Sequence, residues 1–233
     1  MEASWWYRGR AIAVRAALQQ GGPRSKAKRA LDVGAGFGGM YDELSRVSDN
    51  VYAWEPHLHA HEVLRTRHYA RVFGGEEEAL AKKYDLIGMF DVLEHMEDDH
   101  GLLLRVRRSL TPEGRIVLTV PAFPFMWSVH DELNHHYRRY TRKSLTDVLA
   151  RSGYKLDFVS YWNALLFLPA AVVRLVGRTG ENALDVPVGL NNLLLALIRA
   201  ETFVMRGMSL PFGTSLIAVA QKSSASGSDQ LRF

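Results

Sequence analysis

The run Leu31-Asp32-Val33-Gly34-Ala35-Gly36-Phe37-Gly38 offers the plainest chemistry in this chain of 233 residues. A short β run enters a turn tight enough to need glycine and leaves it as helix, so backbone N–H groups can approach a ligand closely. Glu55 follows the strand-like run Asn50-Val51-Tyr52-Ala53-Trp54, where a second parallel strand would deliver a carboxylate to a ribose diol. Together these residues describe a pocket for an adenosine-containing cofactor. Gly34, Gly36 and Gly39 also satisfy G-x-G-x-x-G, so a dinucleotide fold or an ordinary tight strand–helix turn competes for the same pattern. Asp32 weighs against the dinucleotide. An acid there can orient the glycine turn through N–H groups or meet an amino-acid-like amine, whereas a pyrophosphate gains nothing from its charge.

The elements that must hold this turn follow from periodicity. An aromatic-led amphipathic helix over 5–20 closes at Gly21-Gly22-Pro23, and a basic linker from Arg24 to Arg29 leads to a strand over 30–33. Further strands are expected at 50–54, 69–73, 84–90, 115–120, 154–161 and 215–222, with helices at 39–47, 57–68, 76–82, 98–110 and 141–152. Tyr84 to Phe90 is continuously apolar, as a strand buried on both faces should be. Strands alternating with helices at this pitch predict a parallel, doubly wound α/β sheet. Two further helices, 163–178 and 189–208, are unusually apolar. The expected organisation is a lid helix over 1–22, one domain over 23–222 with an apolar helical insertion at 163–209, and a small, polar, disordered tail at 223–233.

Composition narrows the class. Apolar content of 47% and charge of 23% are ordinary for a soluble globular domain. With no cysteine, disulfides and thiolate metal sites are excluded, and a reducing, cytoplasmic location is expected. The opening residues lack the basic-then-apolar order of a signal peptide. A net charge of +4 suits anionic substrates or an anionic lipid surface. No basic-aromatic nucleic-acid motif accompanies it, so no nucleic-acid partner is expected.

With these residues in order, the chain resembles a class I S-adenosylmethionine-dependent methyltransferase. The glycine turn, Glu55, the run Tyr84-Asp85-Leu86-Ile87-Gly88-Met89-Phe90-Asp91-Val92-Leu93-Glu94-His95 and the turn Pro112-x-Gly114 carry the resemblance over roughly 28–160, with the closing strand at 215–222. Trp5-Trp6-Tyr7-Arg8-Gly9-Arg10 and His130-Asp131-x-x-x-His135-His136-Tyr137-Arg138-Arg139-Tyr140 are similar to a bacterial subgroup related to the ubiquinone-type O-methyltransferases. The resemblance implies a Rossmann-like, seven-stranded, mostly parallel sheet with helices on both faces, and S-adenosylmethionine as cofactor. It implies that Gly34 and Gly36 pack against the methionine part and that Glu55, followed by Pro56, accepts both ribose hydroxyls. Glu76 or Glu77 would face the adenine amine. Phe90 and Asp91 would lie under the sulfonium and near the amino group, with Asp32 and His95 beside them. An N-terminal lid would bring an aromatic and Arg8 or Arg10 to the methionine end, with Tyr7 and Arg8 favoured, unless the tryptophans simply dock the helix. Core packing is the plain alternative for Phe90.

Chemistry would be added in 121–140, a stretch rich in Pro, aromatics and His that follows strand five. Open α/β sheets place ligands there, outside the carboxyl ends of the strands. His130, His135 and His136 are the groups in it that ordinarily titrate near neutrality. His135 is the leading candidate for general base or substrate-orienting group, ahead of His130 and His136. Asp131 could fix a tautomer, and Arg138 or Arg139 could bind an anionic substrate. Ordinary loop or capping histidines are the competing account. The spacing of His130, Asp131, His135 and His136 is not H-E-x-x-H, so no metal is expected.

The expected activity is methyl transfer to an oxygen or nitrogen of a small-molecule or lipid-like acceptor, as part of biosynthesis. An NAD-linked oxidoreductase and a silent methyltransferase-fold module binding a membrane or partner are the alternatives. The apolar insertion, flanked by Arg174, Arg178, Arg199 and Arg206, could be a substrate lid, a homodimer interface or a peripheral membrane contact; burial against the chain's own sheet competes with all three.

Overall fold

Parallel strands bury both faces, so their helices must alternate sides; the computed structural model of the chain, described here for residues 4–168 and 186–223, has that arrangement. Helix α1 (Trp5–Gly21) precedes β1 (Ala27–Val33), α2 (Tyr41–Val47), β2 (Ser48–Trp54), α3 (Leu58–Thr66), β3 (Arg71–Phe73) and α4 (Glu76–Leu80). Then follow β4 (Tyr84–Phe90), α5 (Asp99–Arg108), β5 (Leu110–Pro121), α6 (Val129–Leu133), α7 (Arg142–Arg151), β6 (Tyr154–Trp162), α8 (Val188–Met205) and β7 (Ser215–Lys222). The seven strands form one sheet in the order β3-β2-β1-β4-β5-β7-β6. β7 runs antiparallel to both of its neighbours, and the other pairs are parallel. The strand order reverses between β1 and β4, so the crevice at their carboxyl ends is the natural ligand site.

Two hydrophobic clusters lie on opposite faces of the sheet. One joins Leu31, Ile87, Met89, Leu103, Leu118 and Leu149 under α5 and α7. The other joins Val14, Leu18, Leu44, Leu86, Trp162 and Val219 under α1 and α2. α1 and α8 also cross closely, since a Cβ at Gly9 would lie 2.5 Å from Cδ1 of Ile198. Trp5 packs with Leu194, Leu195 and Ile198, and its N–H donates to Oδ1 of Asn191 at 2.7 Å. The tryptophans therefore dock α1: Trp5 on α8 and Trp6 on Trp162, with ring centroids 5.0 Å apart.

Several boundaries differ from the sequence expectation. β1 reaches back to Ala27 through the expected linker, because Ala27 and Arg29 find partners in Ser48 and Asn50. The Pro112–Gly114 turn is an excursion within β5, whose register with β4 jumps from Tyr84–Leu110 to Leu86–Arg115. Proline's missing N–H suits such a break. The stretch 121–140 contains α6, started by a reciprocal capping box between Ser128 and Asp131. The expected tail and most of the helix expected at 163–178, with Arg174 and Arg178, lie outside the described residues. Val188–Met205 is one helix long and apolar enough to cross a membrane by length and composition, a third of it buried.

Candidate functional site

The glycine turn sits at the end of β1. Gly34, Gly36 and Gly38 have φ of +64°, +53° and +80°, the left-handed region that glycine enters without a Cβ penalty. A Cβ at Gly36 would meet nothing within 4 Å, so this residue lines open space. Across it, Glu55 is buried, with one carboxylate oxygen accepting from Gly36 N–H at 2.8 Å and the other from His57 N–H at 2.9 Å. Each oxygen keeps a second lone pair, so the carboxylate is aimed and still able to accept two hydroxyls. Pro56, next to it, is exposed.

Asp32 is also buried, but its partner is a side chain: Tyr69 Oη donates to Oδ2 at 2.7 Å. Burial pushes the carboxyl up to about 7, against the lowering effect of the Tyr69 hydrogen bond and the Arg10 charge. Tyr69 was not among the candidates. It lies just before β3 and outside its ladder, and nothing in a single sequence ties it to Asp32.

At the end of β4, Asp91 takes φ +55°, uncommon for a residue with a Cβ. Two β5 contacts hold it there: Asp91 N–H donates to the Thr119 carbonyl at 3.0 Å, and Thr119 Oγ1 donates to Oδ1 at 2.8 Å. Its other oxygen pairs with Arg10 Nη1 at 2.6 Å. The N-terminal helix thus sends Arg10 to the site. Arg8 instead is exposed, lining with Tyr7, Arg15, Arg199 and Arg206 a groove of about 700 Å³ between α1, α2 and α8. Phe90 belongs to the core cluster of Met40 and Leu44, and its ring lies over Gly88, whose added Cβ would meet it at 2.5 Å. The core account of Phe90 is the one its surroundings match. Among the α4 glutamates, Glu76 pairs with Arg105 and Glu78 with Arg71. Glu77 is exposed, and its carboxylate has no hydrogen-bond or ion-pair partner among the described residues.

The histidine stretch resolves into one ordered group. Asp131 is fully buried and accepts from Ser128 N–H at 2.9 Å, Arg139 Nε at 2.8 Å and His136 Nδ1 at 2.9 Å. Burial alone would raise its carboxyl, but the hydrogen bonds of His136 and Arg139 and the Arg139 charge hold it well below the usual carboxylate range. Arg139 is buried and also donates to the Ala122 carbonyl at 3.0 Å. It is a pin for Asp131 rather than a substrate anchor, and Arg138 pairs with Asp99. His135 is exposed with φ +55° just past the end of α6, a helix-stopping position. Asp131 therefore fixes the tautomer of His136 and not of His135. His130 is exposed, with its ring centroid 6.5 Å from that of His136.

Two residues of the turn Leu93–His95 after β4 meet this group. The His95 ring stands edge-on to His136, centroids 4.6 Å apart. Glu94 is buried with Oε2 lacking a hydrogen-bond partner. Burial, then the Asp91 charge, raises its carboxyl well above the ordinary range; burial and then His136 lower the His95 imidazole. Tyr137 N–H donates to the Glu94 carbonyl at 2.8 Å, tying the two segments together. Glu94, like Tyr69, is absent from the site residues expected from sequence. It shares the expected run with Asp91 and His95, but only the fold shows it buried beside His136.

Comparison with known proteins agrees with this fold. No functionally curated protein matches the chain by sequence. A methyltransferase from Bacillus halodurans superposes with a TM-score of 0.61 at 14% identity, covering 91% of this chain and 99% of that one. A SAM-dependent methyltransferase from Archaeoglobus fulgidus gives 0.57 at 16%, covering 93% and 96%. The N-methyltransferase NodS from Bradyrhizobium japonicum gives 0.54 at 14%, covering 93% and 96%. At such identities these structures speak for the fold alone. A family model described as a methyltransferase domain matches residues 5–158, which include the glycine turn, Glu55, Asp91, the Glu94–His95 turn and the histidine stretch. The chain therefore belongs to the methyltransferase domain family, enzymes that take their methyl group from S-adenosylmethionine.

Proposed function

We propose that this methyltransferase moves the methyl group of S-adenosylmethionine to an oxygen or nitrogen of a lipid-like or other apolar small molecule. The observation that carries the cofactor half is Glu55, held by the Gly36 and His57 N–H groups beside the open face of the glycine turn. That pair of acceptor oxygens fits a ribose diol. Bound there, S-adenosylmethionine supplies a methyl carbon already activated by its sulfonium. The chain's own residues then have three tasks: to align the acceptor, to take its proton and to exclude water.

Alignment at the methionine end falls to Asp91, whose carboxylate is fixed by Thr119 and Arg10. Arg10 comes from α1, so docking of this helix completes the site. Activation of the acceptor falls to His136. Asp131 holds its Nδ1 and leaves Nε2 to face the reacting atom. Held in this orientation, His136 would take the proton that the acceptor loses on methylation.

Apolar surface supports a lipid-like acceptor. Phe123, Phe125, Phe167 and Phe212 form a chain of ring contacts beside the histidine stretch, with centroids 5.3 to 6.3 Å apart. Phe125, Phe212, Leu165 and Leu168 are exposed, an unusual density of bare apolar side chains. A methyl-transfer screen against lipid and metabolite extracts tests the reading. Labelled product in the organic phase is expected; label confined to polar metabolites would overturn the acceptor class. Failure to bind S-adenosylmethionine would overturn the whole reading.

A further inference from the structure

We propose that Glu94, His95 and His136 form a site for a single divalent transition-metal ion. One ligand atom from each residue lies within 4.8 Å of those of the other two. Two independent features go beyond proximity. First, Glu94 is 1% exposed and its Oε2 has no hydrogen-bond partner. A buried carboxylate oxygen left unpaired is costly, and such groups call for an explanation such as a bound ion. The cations nearest to it are already committed: Arg139 to Asp131 and Arg10 to Asp91.

Second, His136 has the outer-shell support that metal-ligating histidines require. Its Nδ1 donates to Asp131 at 2.9 Å, and Asp131 is locked by Arg139 and the Ser128 N–H. This fixes the ring and leaves the Nε2 lone pair as a ligand. The Tyr137 N–H bond to the Glu94 carbonyl holds the two ligand-bearing segments in register. The loop spacing gave no sign of the group, because two of its members precede α5 and the third follows α6.

Two imidazoles and one carboxylate suit zinc, manganese, iron(II) or cobalt(II) better than magnesium or calcium. Three protein ligands also leave coordination positions open. An ion there would occupy the Nε2 lone pair of His136, so this histidine acts as the base in the metal-free chain alone; with the ion bound, Lewis acidity would instead let an acceptor hydroxyl lose its proton to water at a lower pH. That role rests on the proposed methyl transfer, whereas the binding itself does not.

The test uses the whole chain, stripped with a chelator and titrated with Zn2+ by calorimetry and with Co2+ by visible absorption. S-adenosylmethionine binding is measured on the same samples. One ion per chain is expected, with visible Co2+ bands of a nitrogen–oxygen site. Glu94→Gln, His95→Gln and His136→Gln should each weaken binding tenfold or more, and Glu94→Gln and His136→Gln should keep S-adenosylmethionine affinity, which also reports that these two variants fold. Asp131→Asn should weaken it about tenfold. A wild-type chain that takes up no stoichiometric ion overturns the site, and so do variants that bind it as tightly as wild type. Metal binding without S-adenosylmethionine binding would leave the site standing and remove the function; the converse would remove the metal alone.

Discussion

The two halves of the site are built in opposite ways. On the cofactor side, the functional groups come from short backbone units: a glycine turn with three left-handed residues, and Glu55 clamped by N–H groups of Gly36 and His57. On the proposed acceptor side, single side chains converge from separate segments: Glu94 and His95 from the turn after β4, Asp131 and His136 from α6 and the chain beyond it. A backbone-built site is rigid because strand ladders hold it. A convergent site is rigid only while its hydrogen bonds last, so the same kind of substitution should injure the two halves differently.

The largest effect is expected at His136. His136→Gln removes the proposed base, and turnover should fall by about 10² to 10⁴-fold, with S-adenosylmethionine affinity within about twofold of wild type. Single-turnover kinetics beside calorimetry would separate the two. The same substitution at exposed His135, measured the same way, should leave turnover nearly unchanged. An equal loss from both variants would mean that the Asp131 contact selects nothing.

Glu55 should show the reverse split. Glu55→Ala deletes both diol acceptors and also leaves the Gly36 and His57 N–H groups without their partner. Charge-assisted bonds of this kind contribute about 1.5–3 kcal/mol each. Affinity for S-adenosylmethionine, read by calorimetry, should drop by about 100-fold or more, and saturating cofactor should restore most of the turnover. A variant that keeps its affinity would break the contrast between the halves.

This contrast also explains what the sequence discloses. The glycine turn, Glu55 and the apolar β4 run are local patterns, and each sits where its spacing predicts. The sheet followed from the same alternation. Three assignments needed the fold. Asp32 pairs with Tyr69, far along the chain, and no periodicity links them. Phe90 carries the same apolar signal whether it lines a ligand or the core, and only the bare face of Gly88 beneath its ring decides. Among three histidines, selection of His136 depends on which one reaches a carboxylate already locked by Arg139. Arg8 and Arg10 posed the same problem on α1, where helix rotation against α8 aims one at Asp91 and the other at the outer groove.

A smaller effect is expected from pH at Asp32. Its carboxyl stands near 7 in the folded chain, above the ordinary 3.8. The folded state therefore holds the proton more tightly than the unfolded one. The associated stability is full below the unfolded value and is lost as pH rises through about 7. S-adenosylmethionine carries positive charge on its sulfonium and amine, so its binding favours ionised Asp32 and releases a proton. Affinity should rise severalfold between pH 6 and pH 8, up to about tenfold per proton released per pH unit. Calorimetry in buffers of different ionisation enthalpy would count that proton. Asp32→Asn should flatten the profile, and an unchanged profile would remove Asp32 from the cofactor's surroundings.

The smallest expected effect is at the joint that serves both halves. α1 carries Arg10 to Asp91, and its angle is set where Gly9 lets it approach α8. An alanine Cβ at Gly9 would lie 2.5 Å from Cδ1 of Ile198, so one of the two must move. The offending atom ends a flexible side chain, and overpacking of this kind costs about 1–3 kcal/mol; the expectation here is the low end. Ile198→Val removes that same Cδ1 and alone leaves a small void, at about 0.5–1.5 kcal/mol. Combined, the new methyl and the lost one occupy one space. The double variant should be more stable than the two single losses predict, by about 0.5–3 kcal/mol of coupling, in denaturant unfolding. If the joint also aims Arg10, Gly9→Ala should weaken S-adenosylmethionine binding a fewfold, and Ile198→Val should restore it. Strict additivity in stability would show that α1 shifts freely on α8. The lid would then be a loose cover rather than the strut that fixes Asp91.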